Sequence, residues 1–384
     1  MEPKIVFDGI FFQIANSGIA RVWRTLFQEW SESFLLHGAV IIDRGKTCPR
    51  FDSYIYEDLP KYQFSASAKD AFTLEEICQK HNADLFISTY FTTPISIPSV
   101  MMIYDMIPEK FDFDMNLSGW QEKTLAIHHA RGFICISHNT AKDLKRFYPQ
   151  IPESSILVSH LGVNRKVFYP RSQPEITAIR NKYGIEKDYY LFVGSRSQEK
   201  GYKNAKLFFD SLPLVQNKNF SVVCVGGQPY LEEYIESSTK DINIHLHQVD
   251  DEELSILYSD AIALVYPSLY EGFGLPIIEA MACGCPVITT KEGSIPEASG
   301  DAAYTISGSD RVEMAEAIAR VRESKIRARL IDRGLKQAAK FNWKKTANTI
   351  YDALVKTNEF KTQSRQPEIA ECWQQYRRVL QQIQ

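Results

Sequence analysis

The sequence predicts an α/β protein built from two doubly wound parallel-sheet domains, and three observations carry that expectation. Short, continuous apolar runs recur along the chain, helical patterns separate them, and one polar stretch rich in turn formers divides the runs into two sets. An apolar run without alternation suits a strand covered on both faces, as in a parallel sheet flanked by helices.

The first set is IVF (5–7), VII (40–42), LFI (85–87), MMI (101–103), FICI (133–136) and ILV (156–158). The second is LFV (191–193), VVCV (222–225), IALV (262–265) and VI (287–288). Between them lies a polar segment running from about Asn164 through Pro170, Pro174 and Lys182 to Asp188, with a helix expected over 175–183 and no strand. This gives an N-terminal Rossmann-like domain over 1–170 and a second over 171–345, with 346–384 forming a C-terminal helix or helices and a tail that pack back on the first. A helix is expected over 344–355 and a terminal one over 369–383. Ligands of such sheets bind outside the carboxyl ends of the strands, so two of them face to face predict a deep interdomain cleft as the site.

Composition narrows the function classes. The chain has 384 residues, 44% of them hydrophobic, enough for a large core. A formal net charge of -3 excludes a global basic field for nucleic acid, so an acidic substrate would need local cations. No run approaches the roughly 20 apolar residues of a membrane span, and the N-terminal MEPKIVFDGIFF lacks a secretory pattern. The expected location is cytoplasmic, compatible with the inner face of a membrane. Seven scattered cysteines, an odd number, read as reduced, mostly buried thiols. Cys283 and Cys285 have no second pair at zinc spacing, so neither metal nor cofactor is expected. Neither GxGxxG nor GxxxxGK[ST] occurs.

The segment from Tyr266 to Gly284 carries most information. A strand ends near Tyr266, a glycine-rich turn follows, and Pro276 suits the first turn of a short helix whose residues Ile277, Ile278, Ala280, Met281 and Ala282 are apolar. A helix apolar all round is buried, which makes Glu279 a carboxylate in a buried first turn. A ligand diol would offset the cost of burying it; an ion pair within the chain would do the same. The glycines leave the main-chain amides of Phe273, Gly274 and Leu275 approachable, and free amides at a helix start bind anions. A diphosphate beside a ribose fits both halves of this description.

The string EGFGLPIIEAMACGCPVI, with Glu271 and Glu279 in an E-x7-E spacing, resembles glycosyltransferase family 4, the retaining enzymes of the GT-B fold. The resemblance continues through GSIPE (293–297) and GDAA (300–303) and covers the first half more loosely. It implies a two-domain GT-B fold, a nucleotide-diphosphate sugar as donor, transfer of a hexose with retention, and no required metal. It implies that Glu279 binds ribose, that Glu271 contacts the donor sugar, and that Gly272, Phe273, Gly274 and Leu275 line the diphosphate. It implies an Arg and a Lys in the loop GSRSQEKGYKN, carried here by Arg196 and Lys203, with Lys200 as the alternative phosphate cation. Fixed cations at a departing diphosphate stabilise the transition state more than the ground state. Gly226-Gly227 matches a turn that lines the nucleotide in the family, or is a plain tight turn.

In the first domain the resemblance places Gly18 near the donor diphosphate and Asp105 on sugar or acceptor hydroxyls. Tyr104 stands where many members carry a histidine that touches the donor sugar, and is itself a candidate acceptor or sugar contact. His138, in a turn resembling the family's serine-rich one, is a further sugar or acceptor contact. Phe111, Phe113, Met115 and Trp120 either shape an acceptor groove or form local core. The acceptor class is a saccharide, a lipid-linked molecule or another hydroxyl compound, and peripheral membrane contact is compatible with it. Two other readings stand beside this one: a non-catalytic sugar-nucleotide-binding subunit, and a sugar-nucleotide epimerase on the same plan. The sequence leaves base, sugar, acceptor and oligomeric state open.

Overall fold

The computed structural model describes residues 3–15, 17–63, 68–197 and 201–359. It divides into two compact units, each around one parallel sheet.

Among the described residues, the first unit comprises those up to Ile136, Thr140–Ser159 and 343–359. Its strands are β1 Ile5–Asp8, β2 Val40–Arg44, β3 Ile55–Leu59, β4 Leu85–Ser88, β5 Ser99–Ile103, β6 Ala130–Cys135 and β7 Ile156–Val158. They pair in the order β3-β2-β1-β4-β5-β6-β7, all parallel. Strands β1, β2, β4 and β5 are buried along their whole length, as the unbroken apolar runs require. The helix Gly18–Glu32 lays Trp23, Phe27 and Trp30 on Phe7 of β1. The indole N–H of Trp30 donates to the Ala347 carbonyl at 3.0 Å, which ties the helix Trp343–Glu359 to this unit. The expected terminal helix over 369–383 lies outside the described residues.

One buried carboxylate in this unit has a measurable consequence. Glu75, on the helix Ala68–Lys80, accepts the N–H groups of Ile95, Ser96 and Ile97 at 3.0, 2.8 and 3.4 Å and the Ser96 hydroxyl. Burial by itself would raise its pKa, but these donors outweigh it and hold the carboxyl below the usual range. A depressed folded-state pKa stabilises at neutral pH, and the contribution disappears as pH falls through that pKa. Glu75→Gln is therefore expected to lower the melting temperature at pH 7, with the gap to wild type closing below about pH 4. A gap of equal size at pH 3 would count against this account.

The second unit comprises Ser137–Asn139 and His160–Asn342. The polar segment ahead of β8 packs here: Phe168 lies against Tyr258 with ring centroids 6.3 Å apart, and Arg171 donates to the Ser255 hydroxyl at 3.0 Å. The helix within it, Gln173–Tyr183, begins on a reciprocal cap between Ser172 and Glu175. The strands are β8 Tyr189–Val193, β9 Ser221–Val225, β10 Ile244–His247, β11 Ala263–Tyr266, β12 Val287–Thr289 and β13 Tyr304–Thr305, in the order β10-β9-β8-β11-β12-β13. The order reverses between β8 and β11, and the loops leaving their carboxyl ends diverge there, at the topological switch point where such sheets bind ligands.

Candidate functional site

The loops after β8 and β11 carry the cation and the glycine-rich turn singled out in the sequence, and the structure ties them together. The Leu269 N–H donates to the Tyr202 carbonyl at 2.7 Å, and the Asn204 amide donates to the carbonyls of Pro267 and Gly308 at 3.1 and 2.8 Å. Asn204 starts the helix Ala205–Ser211 with φ 52°, a conformation that asparagine tolerates better than most residues. Lys203, between these two anchors, is thereby aimed at the β11 loop. Its Nζ donates to both carboxylate oxygens of Glu271 at 2.7 and 3.0 Å, and to the Tyr266 hydroxyl at 3.1 Å.

Electrostatics match this geometry. Burial alone would lower the Lys203 pKa, but the Glu271 carboxylate more than reverses it and keeps the ammonium charged. Burial and the same carboxylate both push the Tyr266 phenol far up, so it stays protonated. Behind Glu271, three hydroxyls from the segment 289–294 hold the loop by its carbonyls. Thr289 donates to Tyr266, Thr290 to Ser268 and Ser294 to Glu271, at 2.6, 2.6 and 2.7 Å.

The turn after Glu271 leads into the helix Leu275–Ala282, with Gly274 as its cap at φ 109°. A Cβ on Gly274 would meet Ile277 Cδ1 at 3.2 Å, so both backbone and space favour glycine. Among the described residues the main-chain N–H groups of Phe273, Gly274 and Leu275 donate no hydrogen bond. Glu279 is buried, with 3% of its surface exposed. It is the fifth residue of this helix, in the second turn and not the first, because the helix starts only after Gly274. The helix dipole, which acts within the first turn, therefore relieves less of its charge than expected.

Arg196 is placed differently from the expectation. It is fully buried, and its guanidinium turns toward the loop after β9. Nε pairs with Glu232 at 2.9 Å, Nη1 donates to the Gly226 carbonyl at 2.8 Å, and Nη2 donates to the carbonyls of Gln228 and Tyr230. Gly227, at φ 73°, passes so close that a Cβ there would stand 3.1 Å from Arg196 Nη1. The Gly226-Gly227 turn is thus the lid over a buried arginine. The expected pair of phosphate-facing cations is not assembled: Lys203 meets Glu271, while Arg196 organises the neighbouring loop. Lys200 lies outside the described residues.

A second cluster adjoins the glycine-rich turn. Phe273 stacks on His160 with ring centroids 5.3 Å apart and meets Phe341 edge-on at 5.3 Å. His160 Nε2 lies 2.8 Å from Glu297, whose carboxylate also accepts the N–H groups of His138 and Asn139 at 2.8 and 2.9 Å. Burial tends to raise the Glu297 pKa, and His160 and the two amides bring it below the usual range. The side chains of His138, His160 and Glu297 bring ligand-type atoms within 4.8 Å of one another. The carboxylate is already held by an imidazole and two amides, so the group reads as a strut under Phe273.

In the first unit, Asp105 caps a turn, its Oδ1 accepting the Ile107 N–H at 2.9 Å. The Tyr104 hydroxyl and the Trp23 indole N–H are both buried with no hydrogen-bond partner among the described residues. Gly18 opens the helix Gly18–Glu32, and a Cβ there would meet nothing within 4 Å. Phe113 packs edge-on against Trp120 with ring centroids 5.7 Å apart. Among the described residues no helix is long and apolar enough to cross a membrane.

Sequence reasoning passed over Tyr266, Glu232 and the hydroxyls of Thr290 and Ser294. Glu232 lies 36 positions from Arg196, and no spacing rule links them. Ser294 lies within the string GSIPE, where nothing in the pattern points to its hydroxyl, and Thr290 lies just before that string.

Residues 175–337 match the family described as Glycosyl transferases group 1. O-antigen chain mannosyltransferase B of Escherichia coli is 30% identical over 241 residues, 60% of this chain and 63% of that protein. The MMP alpha-(1->4)-mannosyltransferase of Mycolicibacterium hassiacum is 36% identical over 274 residues, 66% of this chain and 64% of that protein. The matches thus span just under two thirds of either relative's length. Sucrose-phosphate synthase from Thermosynechococcus elongatus superposes with TM-score 0.68 at 18% identity, over 91% of this chain and 97% of that one. HepE of Anabaena, solved in complex with UDP and glucose, superposes with TM-score 0.69 at 16% identity, over 92% and 100%. The protein therefore has the two-domain GT-B fold of these structures, and its second unit carries the sequence similarity to Glycosyl transferases group 1.

Proposed function

We propose that this protein is a retaining glycosyltransferase of family 4. It moves a hexose, mannose or a relative, from a nucleotide-diphosphate sugar to a hydroxyl of a saccharide or lipid-linked acceptor. The observation that carries this reading is the pairing of Lys203 with Glu271 beside three undonated amides at the mouth of the helix bearing Glu279. The mannosyltransferase names of its relatives and the UDP and glucose bound by HepE support the donor class.

In this mechanism the diphosphate seats on the amides of Phe273, Gly274 and Leu275, and Glu279 takes the ribose hydroxyls. Lys203 turns from Glu271 to the phosphate. As the bond from the anomeric carbon to the phosphate oxygen breaks, the growing negative charge meets a fixed cation and fixed dipoles, which strengthen with charge development. Glu271, released, faces the sugar. The acceptor hydroxyl oxygen then bonds to the anomeric carbon, its proton passes to the departing phosphate oxygen, and the nucleoside diphosphate leaves. Arg196 acts at one remove, by fixing the 226–230 loop. Asp105 is assigned to sugar or acceptor hydroxyls on the resemblance alone. Lys203 and the amides take the place that a divalent cation fills in metal-dependent transferases.

Calorimetry with a panel of GDP-, UDP- and ADP-sugars tests the donor site. Wild type is expected to bind one diphosphate class in the micromolar range, and Glu279→Ala to lose at least about tenfold in affinity, the cost of one good hydrogen-bonded contact. Equal affinities for every donor in both proteins would remove the ribose assignment. The anomeric configuration of the product, read by NMR, tests retention.

A further inference from the structure

We infer that Tyr266 is a positioning residue of the donor site, whose phenol takes over the Glu271 carboxylate when Lys203 leaves it for the diphosphate. The inference rests on the proposed function and deepens it.

The problem it solves is local. Glu271 is only 8% exposed, and in the unliganded site its charge is balanced by Lys203. A diphosphate needs that same ammonium. A carboxylate abandoned in a poorly solvated position opposes donor binding, because a buried acceptor left without a donor carries its full desolvation penalty. Another donor must already be in reach.

Tyr266 fits that place. It is the last residue of β11 and 2% exposed, and its hydroxyl accepts from Lys203 Nζ at 3.1 Å. A phenol that accepts from an ammonium keeps its own O–H to give, and the Glu271 carboxylate is its neighbour, because both bond the same Nζ, the phenol at 3.1 Å and the carboxylate oxygens at 2.7 and 3.0 Å. Burial and the nearby carboxylate keep that proton on the oxygen. The backbone of Tyr266 cannot follow the lysine. It pairs with Thr289 in the β11–β12 ladder, and its carbonyl accepts the Thr289 hydroxyl at 2.6 Å. Lys203, by contrast, sits on a loop and reaches the site through four flexible methylenes. One partner of the carboxylate can swing and the other is fixed.

The alternative is a core tyrosine whose ring fills space under the loop. The two differ in coupling. Nucleoside diphosphate binding (UDP, GDP and ADP, by calorimetry) is measured for wild type, Tyr266→Phe, Glu271→Gln and the double variant. Tyr266→Phe, which keeps the ring, is expected to weaken binding about tenfold in the wild-type background, the loss of one hydrogen bond to a charged group. In the Glu271→Gln background the same change is expected to matter less than about twofold, since a neutral amide needs no such compensation. Tyr266→Gln, which restores an N–H donor but loses ring volume, should retain more affinity than Tyr266→Phe; packing alone predicts the reverse order. Equal losses in both backgrounds, or no loss in either, would overturn the role of Tyr266. If wild type still binds and Glu279→Ala does not, the donor site itself stands in that case. A wild type that binds none of the three nucleotides sinks both.

Discussion

Lys203→Ala is expected to lower turnover by about a hundred- to a thousandfold, the range seen when one fixed group that stabilises developing negative charge is removed. The measurement is release of nucleoside diphosphate from the sugar nucleotide identified by calorimetry. Lys203 lies where β8 and β11 diverge, and its ammonium stays charged because Glu271 outweighs the effect of burial. The charge therefore persists through the neutral range, and no pH change there should mimic the substitution. Lys203→Arg keeps the charge but replaces a compact ammonium with a planar fork that does not fit the same short contacts to Glu271 and Tyr266. It should recover part of the rate. Donor affinity should fall far less than turnover if Lys203 acts mainly on the departing diphosphate. A variant with unchanged turnover would remove Lys203 from the chemistry.

Arg196→Ala is expected to cost about 3–5 kcal/mol of stability, because it leaves the Glu232 carboxylate uncompensated and strips three carbonyls of their donor. For a unit of this size that is on the order of a 6–20 °C drop in melting temperature. Glu232→Gln should cost less, since a neutral amide can still accept from Nε. The same variants separate two roles. If Arg196 holds the 226–230 loop, stability falls first and nucleotide affinity falls with it. If it binds phosphate as the family resemblance implies, affinity collapses while the melting temperature moves little. Urea unfolding alongside calorimetry on one preparation distinguishes them.

The contrast between these two residues shows where sequence reading reaches and where it stops. Both are cations of one loop, three to four positions from a second lysine, and composition and spacing treat them alike. What separates them is the direction each side chain takes across the sheet. Lys203 follows the loop toward β11, through anchors at Leu269 and Asn204. Arg196 turns to the β9 side, drawn by Glu232 and by carbonyls that two positive-φ glycines expose. Glu232, Gly226 and Leu269 are remote in sequence from the loop they fix.

The strands divide in the same way. All ten apolar runs read as strands are central strands or, for 156–158, a fully apolar edge. The three that went unread, β3, β10 and β13, are all edge strands. Edges are half-covered, and IYEDL, IHLH and YT accordingly mix polar with apolar residues. Their strand character comes from a neighbour's unpaired backbone more than from their own side chains.

The sequence alone determined that two parallel sheets form and that the helix after the glycine turn is buried. Those properties follow from local patterns of burial and from turn chemistry, which a chain carries wherever it folds. The tertiary structure alone decided which cation meets Glu271, which turn of the helix holds Glu279, and that the Tyr266 hydroxyl accepts from Lys203. These depend on contacts across tens of residues, where long side chains choose among several partners and only the packed surroundings fix the choice.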